Sequence, residues 1–206
     1  MFALMTAMLA ASPLLPSLTP SAIAESSVAY TVKPGDTLAK IGAKFQVTAM
    51  EIARANKLSN PNMLRVGQRL IIPQLDQKVL NFQNRVVSLT NQQRAKYGLP
   101  PLKMNLELQR MARVKSEDMR NRNYFDHNSP TYGSPFNMMK SFGISYSWAG
   151  ENIAAGQQTP EAVVDAWMKS PGHRANILKK EYTEIGCGAA LGGSYGCYWT
   201  QEFIRR

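Results

Sequence analysis

Both histidines of this chain, His127 and His173, sit in dense local motifs with a glutamate between them in sequence. The first motif is Tyr124-Phe125-Asp126-His127-Asn128-Ser129-Pro130. The second runs Trp167-Met168-Lys169-Ser170-Pro171-Gly172-His173-Arg174-Ala175-Asn176, and Ala149-Gly150-Glu151-Asn152 lies between them. Two imidazoles and a carboxylate that converge give either a zinc site with an open water position or an acid–base cluster. Each residue also has a structural reading: His127 as a loop cap, His173 as a cap for the short helix leading to Asn176, Glu151 as an acceptor for backbone amides. No Ser-His-Asp or Cys-His set is identifiable and no HExxH motif occurs, so the familiar hydrolase mechanisms gain no support.

The elements that must position these residues follow from periodicity. Phe82, Val86 and Leu89 share one helical face, and Gly98 with Pro100-Pro101 ends that segment. Asn105 caps a second predicted helix whose Leu108, Met111, Ala112, Lys115 and Met119 form one side, and His127 follows it. A short helix spans Pro135 to Phe142. Thr159-Pro160-Glu161 opens another, with Thr as N-cap and Pro in the first turn. The stretch from Thr183 to Ile204 reads as two strands around Gly192-Gly193. Cys187 and Cys197 then lie nearly opposite each other, so an exported chain is expected to join them in a disulfide.

The motifs around His127, Glu151 and His173, in that order, resemble the signature of the CAP superfamily, the secreted cysteine-rich, antigen-5 and pathogenesis-related-1 type proteins, in its bacterial form. The resemblance covers residues 82–206. It implies an α-β-α sandwich with a cleft holding His127, Glu151 and His173. Many eukaryotic members carry an acid shortly after the Trp matching Trp167, where this chain has Lys169-Ser170-Pro171. They also place a histidine where Tyr198 stands before Trp199-Thr200-Gln201. The second acid of the cleft is therefore open between Asp126 and Asp165, and Asn137 cannot act as a base.

Residues 30–73 form a separate unit. Tyr30-Thr31-Val32 and Leu70-Ile71-Ile72 read as strands, with helices starting near Leu38 and after Thr48, whose partner Glu51 completes a capping box. The order strand, helix, helix, strand in so short a stretch makes a compact two-layer module. Tyr30-Thr31-Val32-Lys33-Pro34-Gly35-Asp36-Thr37-Leu38 and Gly67-Gln68-Arg69-Leu70-Ile71-Ile72-Pro73 make it similar to a LysM domain. That resemblance implies binding of N-acetylglucosamine glycans, in peptidoglycan or a chitin-like polymer. The implied groove lies near Gly35, Asp36, Thr37 and Leu38 on one side and Asn60-Pro61-Asn62-Met63-Leu64 on the other, with Leu38, Met63 and Leu64 against the sugar faces. Residues 74–81 read as a short polar linker. The expected fold class is thus α+β: a small βααβ module followed by a larger α-β-α sandwich.

The net charge of +10 is diffuse: residues 30–73 carry seven Lys/Arg against two acids, without a basic run or nucleic-acid motif. Such basicity favours an anionic polymer or surface over nucleic acid as partner. Residues 1–24 are apolar and small and end in Ala22-Ile23-Ala24, which reads as a signal peptide rather than a spanning helix. The expectation is a secreted protein of the cell wall or spore envelope. Its cleft serves binding and assembly, with a peptidoglycan- or peptide-directed hydrolase, with or without zinc, as the alternative. Lipid or sterol binding is a third, weaker reading.

Overall fold

The computed structural model describes residues 27–45 and 47–206; the expected signal peptide, residues 1–24, lies outside them. In the front module, β1 (Ser27–Thr31) and β2 (Arg69–Pro73) pair antiparallel, with α1 (Leu38–Phe45) and α2 (Ala49–Ala55) between them in sequence. Ile41, Ile52, Leu70 and Ile72 are its buried centre. The Thr48–Glu51 capping box forms as expected and starts α2.

The larger domain starts earlier than the expected linker allows. Asp76 caps α3 (Gln77–Lys96) by accepting from Lys78 N at 2.7 Å, so only residues 74–76 separate β2 from α3. Then follow β3 (Lys103–Met104), α4 (Leu106–Arg122), α5 (Pro135–Ser141), β4 (Trp148–Ala155), α6 (Pro160–Lys169), α7 (Pro171–Ile177), β5 (Glu184–Leu191) and β6 (Cys197–Arg205). The sheet order is β3-β5-β6-β4, with β4 on an edge.

Two helical layers cover this sheet, and strand alternation divides its side chains between them. On β6, Trp199 and Phe203 join Val86 of α3, Val163 and Trp167 of α6 and Ile177 of α7. Ile204 faces the opposite way, into Leu108 and Met111 of α4 and Met138 and Met139 of α5. The expected α-β-α sandwich is what forms. Gly186 and Gly188 let α4 lie directly on β5. A Cβ at Gly188 would run into the Ala112 and Arg113 backbone, and one at Gly186 into Leu108 and Gln109.

The β5–β6 hairpin corrects the expected disulfide. Its turn occupies Gly192–Gly196, with Gly192 N donating to Gly196 O at 2.8 Å, so the register is longer than a Gly-Gly turn gives. Cys187 lies opposite Gln201 and Cys197 opposite Leu191. Four residues of offset, at roughly 3.3 Å each, put them far beyond disulfide reach. Both are buried free thiols in the core under α3.

The module and the domain also meet through charge. Arg113 of α4 donates to Glu51 Oε1 of α2, and Arg110 Nε stands 4.0 Å from the same oxygen. Both arginines are buried.

Candidate functional site

The loop carrying His127 is held from α4. Asn123 ends that helix in the left-handed region, φ 53°, and turns the chain back across it. Lys115, fully buried, donates from Nζ to the carbonyls of Asp126 at 2.7 Å and His127 at 2.8 Å. One turn on, the Asp118 carboxylate accepts from the hydroxyls of Tyr124, Ser129 and Thr131, each at 2.7 Å. These three bonds, with Ser129's the largest favourable contribution, outweigh burial and hold the Asp118 carboxyl below its usual range. The loop is therefore fixed by two charged groups on one helix face.

That framework aims His127 at Glu151. Nδ1 and Oε1 are 2.6 Å apart, with the His127 side chain 53 % exposed and the Glu151 side chain 3 %. The partner fixes the tautomer of the neutral ring: Nδ1–H donates to the carboxylate, and Nε2 keeps the lone pair. The hydrogen bond to Glu151 raises the His127 pKa above 6.5 despite partial burial.

Glu151 has a second neighbour. It pairs in register with Glu202 across the β4–β6 ladder, and Glu202 is fully buried. Glu151 Oε2 and both Glu202 oxygens meet no protein donor. Burial first, and then the Glu151 carboxylate, push the Glu202 carboxyl well above the usual carboxylate range. The shift favours a proton on Glu202, whose O–H would be the donor the carboxylates otherwise lack. Burial lowers the Lys115 pKa, while Glu151 and Glu202 act to raise it.

His173 comes from the other layer. Arg94, buried in α3, donates to the carbonyls of Ile177 at 2.8 Å and Lys179 at 2.9 Å and so fixes the end of α7. Asn152 Nδ2 donates to His173 O at 3.1 Å and to Gln201 Oε1 at 3.0 Å, and Asn176 Nδ2 donates to Asn152 Oδ1 at 2.9 Å. Around the β4 edge His173 comes close enough to His127 to feel its charge; burial first, and then that charge, lower the His173 pKa.

His127 and Glu151 are hydrogen-bonded and His173 lies near enough to His127 to feel its charge, but the three are not grouped as ligands to one metal ion. Glu151 Oε1 is turned onto His127 Nδ1. Among the described residues no three His, Cys, Asp or Glu side chains are grouped to hold a metal ion. Of the candidates for the second acid, Asp126 lies near enough to His127 to raise its pKa, whereas Asp165 is held on α6. Asp126 accepts from Asn128 N at 2.7 Å, and exposed Asp165 pairs with Lys169 on α6. Tyr198 is buried against Met119 and Ile153. The role of Lys115, placed by its spacing on the apolar side of α4, and Glu202 altogether escaped the sequence reading; for Glu202 the alternation Thr200, Glu202, Ile204 on a buried strand face was the available signal.

In the front module Gly35 takes φ 80° at the β1–α1 turn. Asp36 closes that turn by accepting from Tyr30 Oη and Lys33 N, both at 2.8 Å. Thr37 Oγ1 caps α1 through Lys40 N at 3.2 Å. Leu38 belongs to the module core and Leu64 packs against it, whereas Asn62 and Met63 are exposed. A depression of about 610 Å³ opens on the α2–β2 loop, lined by Leu58, Ser59, Asn60, Met63, Arg65, Val66 and Gln68. Of the groove residues expected from sequence, it contains Asn60 and Met63.

Fold and cleft together define a two-module protein, and comparison with known proteins agrees. Residues 87–203 match the CAP family, described as the cysteine-rich secretory protein family, and residues 30–73 match the LysM domain. The chain belongs to the CAP family and carries a LysM domain ahead of its CAP domain. YkwD of Bacillus subtilis is 60% identical over 123 residues, covering 60% of this chain and 47% of that protein. The crystal structure of an extracellular protein with an SCP domain from Bacillus anthracis superposes with a TM-score of 0.58 at 31% identity, covering 68% of this chain and 47% of the other. Over the module, the cortical fragment-lytic enzyme of Bacillus subtilis is 43% identical across 44 residues, 21% of this chain and 10% of that enzyme. The chain spans about half or less of the length of these relatives. No helix among its described residues is long and apolar enough to cross a membrane.

Proposed function

We propose that this is an exported, envelope-associated protein. Its LysM domain attaches it to N-acetylglucosamine glycans of peptidoglycan, and its CAP cleft binds a ligand during wall or spore-envelope assembly. LysM domains bind such glycans, and the relatives include an extracellular SCP protein and a cortex-lytic enzyme. The observation that carries the binding reading is the closed His127–Glu151 bond beside the buried Glu202. It leaves one outward acceptor, His127 Nε2, suited to a ligand hydroxyl or amide.

The same pair favours a second reading. A carboxylate-held imidazole with a free Nε2 is the arrangement of a general base. In a peptidoglycan- or peptide-directed hydrolase, His127 would take a proton from water, Glu151 would hold the imidazolium, and His173 would line the cleft. If zinc takes part, His127 would offer Nε2 with Glu151 still holding Nδ1, and both His127→Ala and His173→Ala should then lose zinc uptake.

Incubation of the full chain and of His127→Ala with insoluble peptidoglycan separates the readings. Both proteins are expected in the pellet, with no soluble fragments released by either. Release by the parent that disappears in His127→Ala establishes the hydrolase instead. A parent that stays in the supernatant refutes the envelope role.

A further inference from the structure

We propose that the depression on the α2–β2 loop selects N-acetylated sugars that carry a carboxylate, with the Arg65 guanidinium as the selecting group. This rests on the glycan-binding reading of the module and names its ligand more closely.

The uncommitted side-chain amide groups of the depression are donors. Asn60 Oδ1 already accepts from Asn62 N at 3.0 Å, which leaves its Nδ2 for a ligand. Gln68 Oε1 accepts from Arg65 N at 3.0 Å and leaves Nε2. Among the described residues the Arg65 guanidinium has no carboxylate partner. No acid lines the depression. The two acids of the module are spent elsewhere: Asp36 on Tyr30 and Lys33, Glu51 on Thr48 and Arg113. A ligand must therefore bring acceptors, and a negative charge gains most.

Apolar contact comes from Met63, 68 % exposed, and Val66, 66 % exposed. Side chains so open are free to meet methyl groups, such as those of an acetamido or a lactyl substituent. Acceptors, a carboxylate and methyls in one small unit describe N-acetylmuramic acid, and they also describe sialic acids. The bacterial relatives of this chain point to the muramic acid of the wall.

The experiment is a calorimetric titration of the full chain with four sugars. They are the N-acetylglucosaminyl-N-acetylmuramic acid disaccharide, its carboxyl-amidated form, chitobiose and sialyllactose. The free-carboxylate disaccharide should bind about fivefold more tightly than the amidated form or chitobiose, the weight of a solvent-exposed charge pair. In Arg65→Gln that preference should vanish while chitobiose binding persists, which also shows the loop still folds. Equal binding of the three wall-type sugars, or a preference retained in Arg65→Gln, overturns the role of Arg65 and leaves the envelope reading intact. A sialyl sugar bound more tightly than the muramyl one overturns the assignment to the wall. Binding of none refutes the glycan-binding reading itself.

Discussion

The two histidines meet different environments, with opposite consequences. A hydrogen bond to Glu151 raises the His127 pKa, whereas burial lowers that of His173. The protonated form of His127 therefore stabilises the fold below the unfolded-state value near 6.5, and that contribution is lost as pH rises through the higher folded value. For His173 the neutral form is preferred; its contribution is present above about 6.5 and lost as pH falls through the lower folded value. Imidazole proton resonances followed from pH 5 to 8.5 should give two separate midpoints, with His127 titrating at the higher pH. Glu151→Gln should bring the His127 midpoint down toward its ordinary value. Coincident midpoints in the parent would contradict the His127–Glu151 bond. At this scale the sequence showed which residues could do chemistry, because histidines are few and their neighbours form turns. It placed Lys115 among the apolar side chains of α4 without a role and did not show Glu202, since what a buried charge does is unknown until its neighbours in space are.

Among the elements, α4 has the most to position: its N-terminal half packs on β5, and its C-terminal half carries Lys115 and Asp118 beneath the His127 loop. Contact depends on the missing side chains of Gly186 and Gly188. Gly188→Ala should force α4 off the sheet and destabilise the domain by roughly 1–3 kcal/mol, the usual cost of overpacking, with lower order in the His127 loop. Urea unfolding with calorimetry measures the first and amide exchange of residues 124–131 the second. An unchanged midpoint would mean the helix slides without cost. Helices were readable because caps such as Thr48, Asn105 and Thr159 sit one residue before apolar periodicity starts. The strand holding Glu151 was not, since Gly150 and the alanines around it supply no β-branched run. Hairpin register failed for a related reason. Gly192, Gly193 and Gly196 all take positive φ, so the glycines mark a turn without fixing its length.

For the whole molecule, the two modules are joined by three residues of chain and by one carboxylate. Glu51 caps α2 through Thr48 and also receives Arg113. Replacing Arg110 and Arg113 together with Ala removes the second role and keeps the first. The variant should fold normally yet tumble as two bodies, seen as different amide relaxation times for residues 30–73 and 87–203. A single tumbling time in the variant would show that the connector alone holds the modules together. The order of the two units was plain from sequence because each brings a motif spanning its own length. Their contact was not, because Glu51 already had a local partner that accounted for it.

The brevity of that connector bears on avidity. Three residues reach at most about 10 Å, so once the module has captured a strand, the cleft searches a volume little larger than the protein itself. Anything on that strand within reach is met at a local concentration in the millimolar range or above. A weak intrinsic affinity at His127 Nε2 is then enough for selective occupancy, and the same cleft would ignore an identical group free in solution. The partner of such a cleft is best sought on intact polymer, where neighbouring groups are presented together.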